Sequence, residues 1–181
     1  MAASASTRHA YTSSVDAAPL LALIARHLRE VELDAVLIGN AAAALQGAPV
    51  TTVDFDFLFR ATPRNLVKLK MLARRLNATV MRPYYPASKL YRVVRDDDGL
   101  QIDFMVTIHG IRSYEGVRDR STTIALEGAP LRVASLADII RSKRAAGRPR
   151  DLAVLEILEA AHEEANRPTR RPRRRRARKP S

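Results

Sequence analysis

Cysteine is absent from all 181 residues, which excludes a disulfide framework and any thiolate metal centre. Long apolar runs are missing as well. None approaches the roughly 18 residues that a membrane-spanning helix needs, and no apolar signal segment opens the chain. A cytoplasmic protein is therefore expected. There is no P-loop, no dinucleotide-binding glycine pattern, no Ser-His-Asp order and no internal repeat. The four histidines (His9, His27, His109 and His162) fall at no metal-ligand spacing and receive no role. In the last fifteen residues the missing type is acid.

That last stretch, RPTRRPRRRRARKPS (167–181), holds eight arginines and one lysine. These nine charges account for most of the net +12 and leave only +3 for the other 166 residues. The body is near neutral and the basicity is a tail. With Pro168, Pro172 and Pro180 and almost nothing apolar, the tail cannot pack. It would attract RNA or DNA by neutralising phosphates, unless it serves only as a solvated extension. Residues 1–13 read as a disordered leader and 14–166 as one domain, since 46% hydrophobic content suffices for a single core.

Periodicity orders the elements. Residues 15–30 place Leu20, Leu21, Leu23, Ile24 and Leu28 on one helix face, and 33–38 form a short apolar strand ended by Gly39. Asn40 reads as the N-cap of an Ala-rich helix over 41–46, followed by a strand at 52–59. Thr62 and Pro63 open a helix to about Asn77 with a basic face of Arg64, Lys68, Lys70, Arg74 and Arg75. A strand at Val80–Met81 precedes two runs, LYRVVR and LQIDFMVTI, joined by DDDG as a hairpin. A short helix over 112–119 and a pair of strands turning at Glu127-Gly128 follow. Ser135 caps a helix over 136–146 closed by Gly147, and Pro149 opens a final helix to about Asn166. The fold class predicted is α+β, a mixed β-sheet with flanking helices and a C-terminal helical pair.

The most informative segment is VLIGNAAAALQGAPVTTVDFDFLF, residues 36–59. Asp54 and Asp56 lie two apart on the predicted strand and so share a face, about 7 Å apart. Two like charges beside apolar Val53, Phe55 and Phe57 are costly unless a cation joins them, which points to a metal site. A bare Asp-x-Asp is commonly a solvated surface pair. Here a Gly turn lies ahead of it, Thr51 and Thr52 precede it, and a third acid, Asp103, sits in an apolar strand opposite in face to Ile102 and Phe104. Tyr84 and Tyr85, beside Arg82 and Lys89, could stack on a base or simply form a sheet edge.

This segment resembles the nucleotidyltransferase superfamily, in particular minimal bacterial members related to abortive-infection and toxin–antitoxin systems. Their pattern is an apolar strand, Gly followed by Gly or Ser, roughly ten residues, then Asp-x-Asp. Asn40 departs from it, and thirteen residues (41–53) precede Asp54. The likeness runs from about 17 to 160 and includes LRVASLADIIRSKRAAGRPRDLAVLEIL, where relatives pair a Lys with a Gly-Arg and an Asp.

The resemblance implies a two-ion Mg²⁺ site in which Asp54, Asp56 and Asp103 are metal ligands and catalytic residues, Asp103 also serving as general base. Gly39, Asn40 and Thr52 would bind nucleotide, using free N–H groups at the start of helix 41–46. Lys143, Arg148 and Asp151 would form the next layer, although a Lys near a helix C-terminus is favourable for dipole reasons alone. The expected reaction moves an NMP from an NTP to a macromolecule, RNA in the first place (a tRNA 3′ end), with a toxin role and an antitoxin partner. The alternative is a catalytically weak nucleic-acid- or partner-binding module.

Overall fold

The computed structural model describes residues 17–52, 54–83 and 89–167. The expected leader, nearly all of the basic tail, Val53 and the Tyr84-Tyr85 pair lie outside them.

Three helices end in the same way. Helix α1 (Ala17–Glu30) is followed by Leu33 N–H donating to Leu28 O and Glu32 N–H to Arg29 O, with Glu32 at φ +53°. Helix α2 (Gly39–Ala44) and helix α3 (Pro63–Arg75) repeat the pattern, with Gly47 and Asn77 in the left-handed position. This double bond satisfies carbonyls that the helix leaves open. At the other end Thr62 caps α3 by accepting from Asn65 N–H at 3.2 Å, as the Thr-Pro signal predicts.

Strands β1 (Ala35–Ile38), β2 (Phe55–Phe59), β3 (Thr79–Met81), β4 (Leu90–Arg95), β5 (Leu100–Met105), β6 (Thr122–Leu126) and β7 (Ala129–Val133) form one sheet in the order β3-β4-β5-β2-β1-β7-β6. β2 runs parallel to β5 and antiparallel to β1, while β1 runs parallel to β7. The hairpins β4–β5 and β6–β7 are antiparallel, the latter turning at Glu127-Gly128 as expected. This is the predicted mixed sheet with flanking helices. Its central strands are buried: Phe57 stacks on Phe104 at 5.2 Å, and Phe59 meets Phe104 edge-on at 5.6 Å. These rings fasten β2 to β5, the two strands that carry Asp56 and Asp103.

Helix α4 (Tyr114–Arg120) is capped by Ser113, and helix α5 (Leu136–Ala146) by Ser135 and closed by Gly147 at φ +62°. The single last helix expected from Pro149 is divided into α6 (Pro149–Leu152) and α7 (Leu155–Ala165). The break after Ala153 lets α7 lie along α5, with Leu158 fully buried and Glu159 paired to Arg144.

Two further local expectations are corrected. Asn40 is not an N-cap: the helix begins at Gly39, Ile38 holds the cap position, and no side-chain cap bond forms. Asn40 instead donates from Nδ2 to Thr51 O at 3.4 Å. The acid strand begins at Phe55, not at residue 52, so Asp54 stands just ahead of it. Thr52 explains this. Its hydroxyl accepts from Asp54 N–H at 3.3 Å and donates to Asp54 O at 2.8 Å, taking the groups that a ladder would use.

Candidate active site

Register aligns the site. Ile38 pairs with Asp56, Asp56 with Asp103, and Asp103 with Arg92, across β1, β2, β5 and β4. Laterally paired residues share a face, so Asp56, Asp103 and Arg92 stand side by side. The neighbouring row, Leu37, Phe57, Phe104 and Tyr91, points to the opposite face and supplies the core beneath. Along β5 burial alternates, with Ile102 and Phe104 fully buried and Asp103 between them partly open. That is the arrangement the apolar–acid alternation predicts.

Gly39 fits tightly against this row. Its φ is +69°, and a Cβ placed on it would come within 2.8 Å of Asp56 Oδ2. Only glycine permits both the left-handed backbone and the close approach. The β1–α2 turn is thereby pressed against the carboxylate.

Asp56 carries the electrostatic signature of the site. Its carboxyl is pushed up to about 6, chiefly by burial, then by the charges of Asp103 and Asp54, with Lys143 and Arg150 acting in the opposite direction. Asp54 and Asp103 are therefore near enough to act on Asp56, and so are the cations Lys143 of α5 and Arg150 of α6. Lys143 Nζ donates to Asp151 Oδ1 at 3.1 Å, both side chains being largely buried. Arg148, at the cap position of α6, is exposed and makes no side-chain cap bond.

The predicted triad is brought into one neighbourhood but not into a ligand cluster. Among the described residues, no three acids or histidines stand close enough to hold a metal ion. Asp103 has its partner on β4. Arg92 donates from Nε to Asp103 Oδ1 at 2.7 Å and from Nη2 to Oδ2 at 2.8 Å, occupying both oxygens. The donor set nevertheless suits a divalent cation. It is all oxygen, the charges of Asp103 and Asp54 add to burial in raising Asp56, and a cationic guanidinium already sits on one member.

Arg92, bonded to Asp103, and Arg150, near enough to act on Asp56, are the neighbours of the candidate site that sequence reading did not identify. A signal for Arg92 existed, because a DDDG turn pairing Arg95 with Leu100 also sets Arg92 opposite Asp103. Part of the basic face of α3 is spent within the fold: Lys68 bonds Glu32 O and Arg75 pairs with Glu30. Of the described histidines, His27 pairs with Glu30 and His162 contacts Asn166. A cavity of about 650 Å³ between α5 and α7, lined in part by Ile140, Arg144, Glu159 and His162, contains none of the carboxylates of the site.

Residues 18–176 match the family described as "Nucleotidyl transferase of unknown function (DUF2204)", and the chain belongs to it. It is a nucleotidyltransferase, as the Gly turn and Asp-x-Asp pattern implied. Solved structures share the fold. A candidate nucleotidyltransferase of Thermotoga maritima is 18% identical, with a TM-score of 0.56 over 82% of this chain and 96% of its own. The antibiotic-resistance factor ANT(2″)-Ia, bound to adenylyl-2″-tobramycin, is 16% identical, with a TM-score of 0.56 over 82% and 96%. The lincosamide adenylyltransferase LnuA, bound to lincomycin, is 8% identical, with a TM-score of 0.58 over 83% and 99%. No curated protein matches the sequence significantly. Among the described residues, no helix is long and apolar enough to cross a membrane.

Proposed function

We propose that this enzyme transfers an NMP from an NTP to a macromolecular acceptor, with RNA first among the candidates, and that it depends on Mg²⁺. The observation that carries the reading is the lateral pairing of Asp56 with Asp103 beside Gly39, with Lys143 and Arg150 near enough to Asp56 to act on its charge. Asp54, Asp56 and Asp103 would hold the cation. Bound Mg²⁺ would offset the charge that builds on the attacking and departing oxygens.

The chain's own groups have separable tasks. An Asp103 oxygen would take the proton of the attacking hydroxyl as general base. Gly39 lets the β1–α2 turn approach the phosphates, and Asn40 and Thr52 border that approach. Lys143, steadied by Asp151, and Arg150 supply positive charge toward the triphosphate, with Arg148 at the start of the same short helix. The basic tail favours RNA, because nine positive charges would recruit a polyanion. A tRNA 3′ end as acceptor, a toxin role and an antitoxin partner complete this reading.

A second reading, transfer to a small molecule, is supported by neighbours whose structures hold tobramycin or lincomycin chemistry. Incubating the protein with Mg²⁺, labelled NTPs and either total RNA or an aminoglycoside separates them. Label on RNA supports the first, label on the aminoglycoside the second. RNA binding without any transfer would favour the binding-module alternative.

A further inference from the structure

The three acids of the site are not equivalent in their partners. Both oxygens of Asp103 are engaged by one guanidinium, at 2.7 and 2.8 Å. Among the described residues, the Asp54 and Asp56 carboxylates have no ion pair at all. A bidentate fork is the strongest and most directional form of such a pair. This one is also shielded, with the Asp103 side chain only 13% and the Arg92 side chain 32% exposed. It lies in register between two hydrogen-bonded strands of a hairpin, so it is not a chance meeting of long surface side chains.

Resting on the metal-dependent reading above, we propose that Arg92 is a built-in counter-cation that occupies the third carboxylate until a divalent cation displaces it. Loading the site is then an exchange, in which at least one Asp103 oxygen must leave the guanidinium before it can face the ion. Two consequences follow. In the metal-free protein Asp103 is not left unpaired beside two other carboxylates, which protects the fold. The affinity for the ion is set below what the three acids would give alone, because any binding energy must first undo the fork. Arg92 is thus a positioning residue that acts through Asp103, and it tunes metal occupancy without being a ligand.

The test is titration of the full-length protein with Mn²⁺ alone, without nucleotide, followed by electron paramagnetic resonance or calorimetry. Arg92→Gln removes both charge and fork. Arg92→Lys keeps the charge but cannot form the fork, since an ammonium is a point donor. Asp103→Asn reports whether the binding seen is at this site. The exchange predicts roughly ten-fold or greater tightening in Arg92→Gln, a smaller but clear tightening in Arg92→Lys, and loss in Asp103→Asn. Arg92→Lys also keeps the test intact should Arg92→Gln fail to fold. If Arg92→Lys binds like the wild type while Arg92→Gln binds tighter, charge alone is acting and the displacement idea is wrong. No tightening in either variant overturns it too. Absence of Mn²⁺ binding in every protein, wild type included, would remove the metal-dependent reading along with it.

Discussion

The carboxylate of Asp56 occupies the space in which a side chain on Gly39 would begin, its Oδ2 lying 2.8 Å from the position of a Cβ. Gly39 is also held at φ +69°. Gly39→Ala therefore meets two penalties, a left-handed backbone worth about 1–2 kcal/mol and a displaced carboxylate. The melting temperature should fall by several degrees, at roughly 2–4 °C per kcal/mol for a chain of this size, and NTP affinity should fall with it. Unchanged values for both would show that the turn does not press on Asp56.

Asp56 should make stability depend on pH in a defined direction. Its carboxyl is raised to about 6 by burial and by its acidic neighbours, so the fold favours the protonated form. The stability that this provides is complete below about pH 4 and is lost as pH rises through about 6. The difference amounts to about 3 kcal/mol at most. Asp56→Asn should thus leave the metal-free melting temperature unchanged at pH 4 and raise it at pH 8. Melting curves across that range check the sign, and a fall at pH 8 would make Asp56 a structural partner.

Asp103→Asn should behave in the opposite way, because Asp103 is paired and Asp56 is not. Losing the carboxylate leaves the partly buried Arg92 without its fork, at a cost of about 1 kcal/mol after allowing for solvent. Metal-free melting temperature should drop slightly. Transfer should fall by orders of magnitude while NTP binding largely persists, as expected for a general base. Equal losses of NTP affinity and rate would place Asp103 in substrate binding instead.

Much of this was legible from residue order. Ser135, Thr62 and Gly147 act as the helix signals they resemble, and the alternation in LQIDFM fixed the face of Asp103. The misreadings have separate physical causes. The Thr52 hydroxyl takes the backbone of Asp54 and delays the strand. Asn40 has the chemistry of a cap, yet Gly39 turns the chain one residue earlier. Arg92 was hidden because its role depends on pairing across a hairpin, which periodicity within LYRVVR does not show. Arg150 was hidden because its influence on Asp56 is tertiary.

Asn40→Ser tests the departure from the family pattern. Asn40 Oδ1 is buried and, among the described residues, has no hydrogen-bond partner. A smaller hydroxyl removes that orphan acceptor at the expense of the bond to Thr51 O. Stability should change by no more than about 1 kcal/mol, and NTP affinity should hold or improve. A large loss of affinity would show that the amide itself contacts the nucleotide.

Truncation after Asn166 removes nine positive charges and no predicted site or core residue. Transfer to a saturating acceptor should survive, and affinity for long RNA should fall. The salt dependence should flatten as well, since its slope counts neutralised phosphates at about 0.7–0.9 each. RNA titrations at several salt concentrations check this. Identical slopes for full-length and truncated protein would mean that the tail never meets nucleic acid.

The most direct measurement compares an NTP labelled at the α-phosphate with one labelled at the γ-phosphate, in the presence of Mg²⁺ and RNA. Nucleotidyl transfer carries the α-label onto the acceptor and releases the γ-label as pyrophosphate. Both should be abolished by Asp56→Asn, which by the reasoning above is at least as stable as the wild type at the assay pH. Transfer of the γ-label to the acceptor, or α-label transfer that Asp56→Asn leaves intact, would contradict the account.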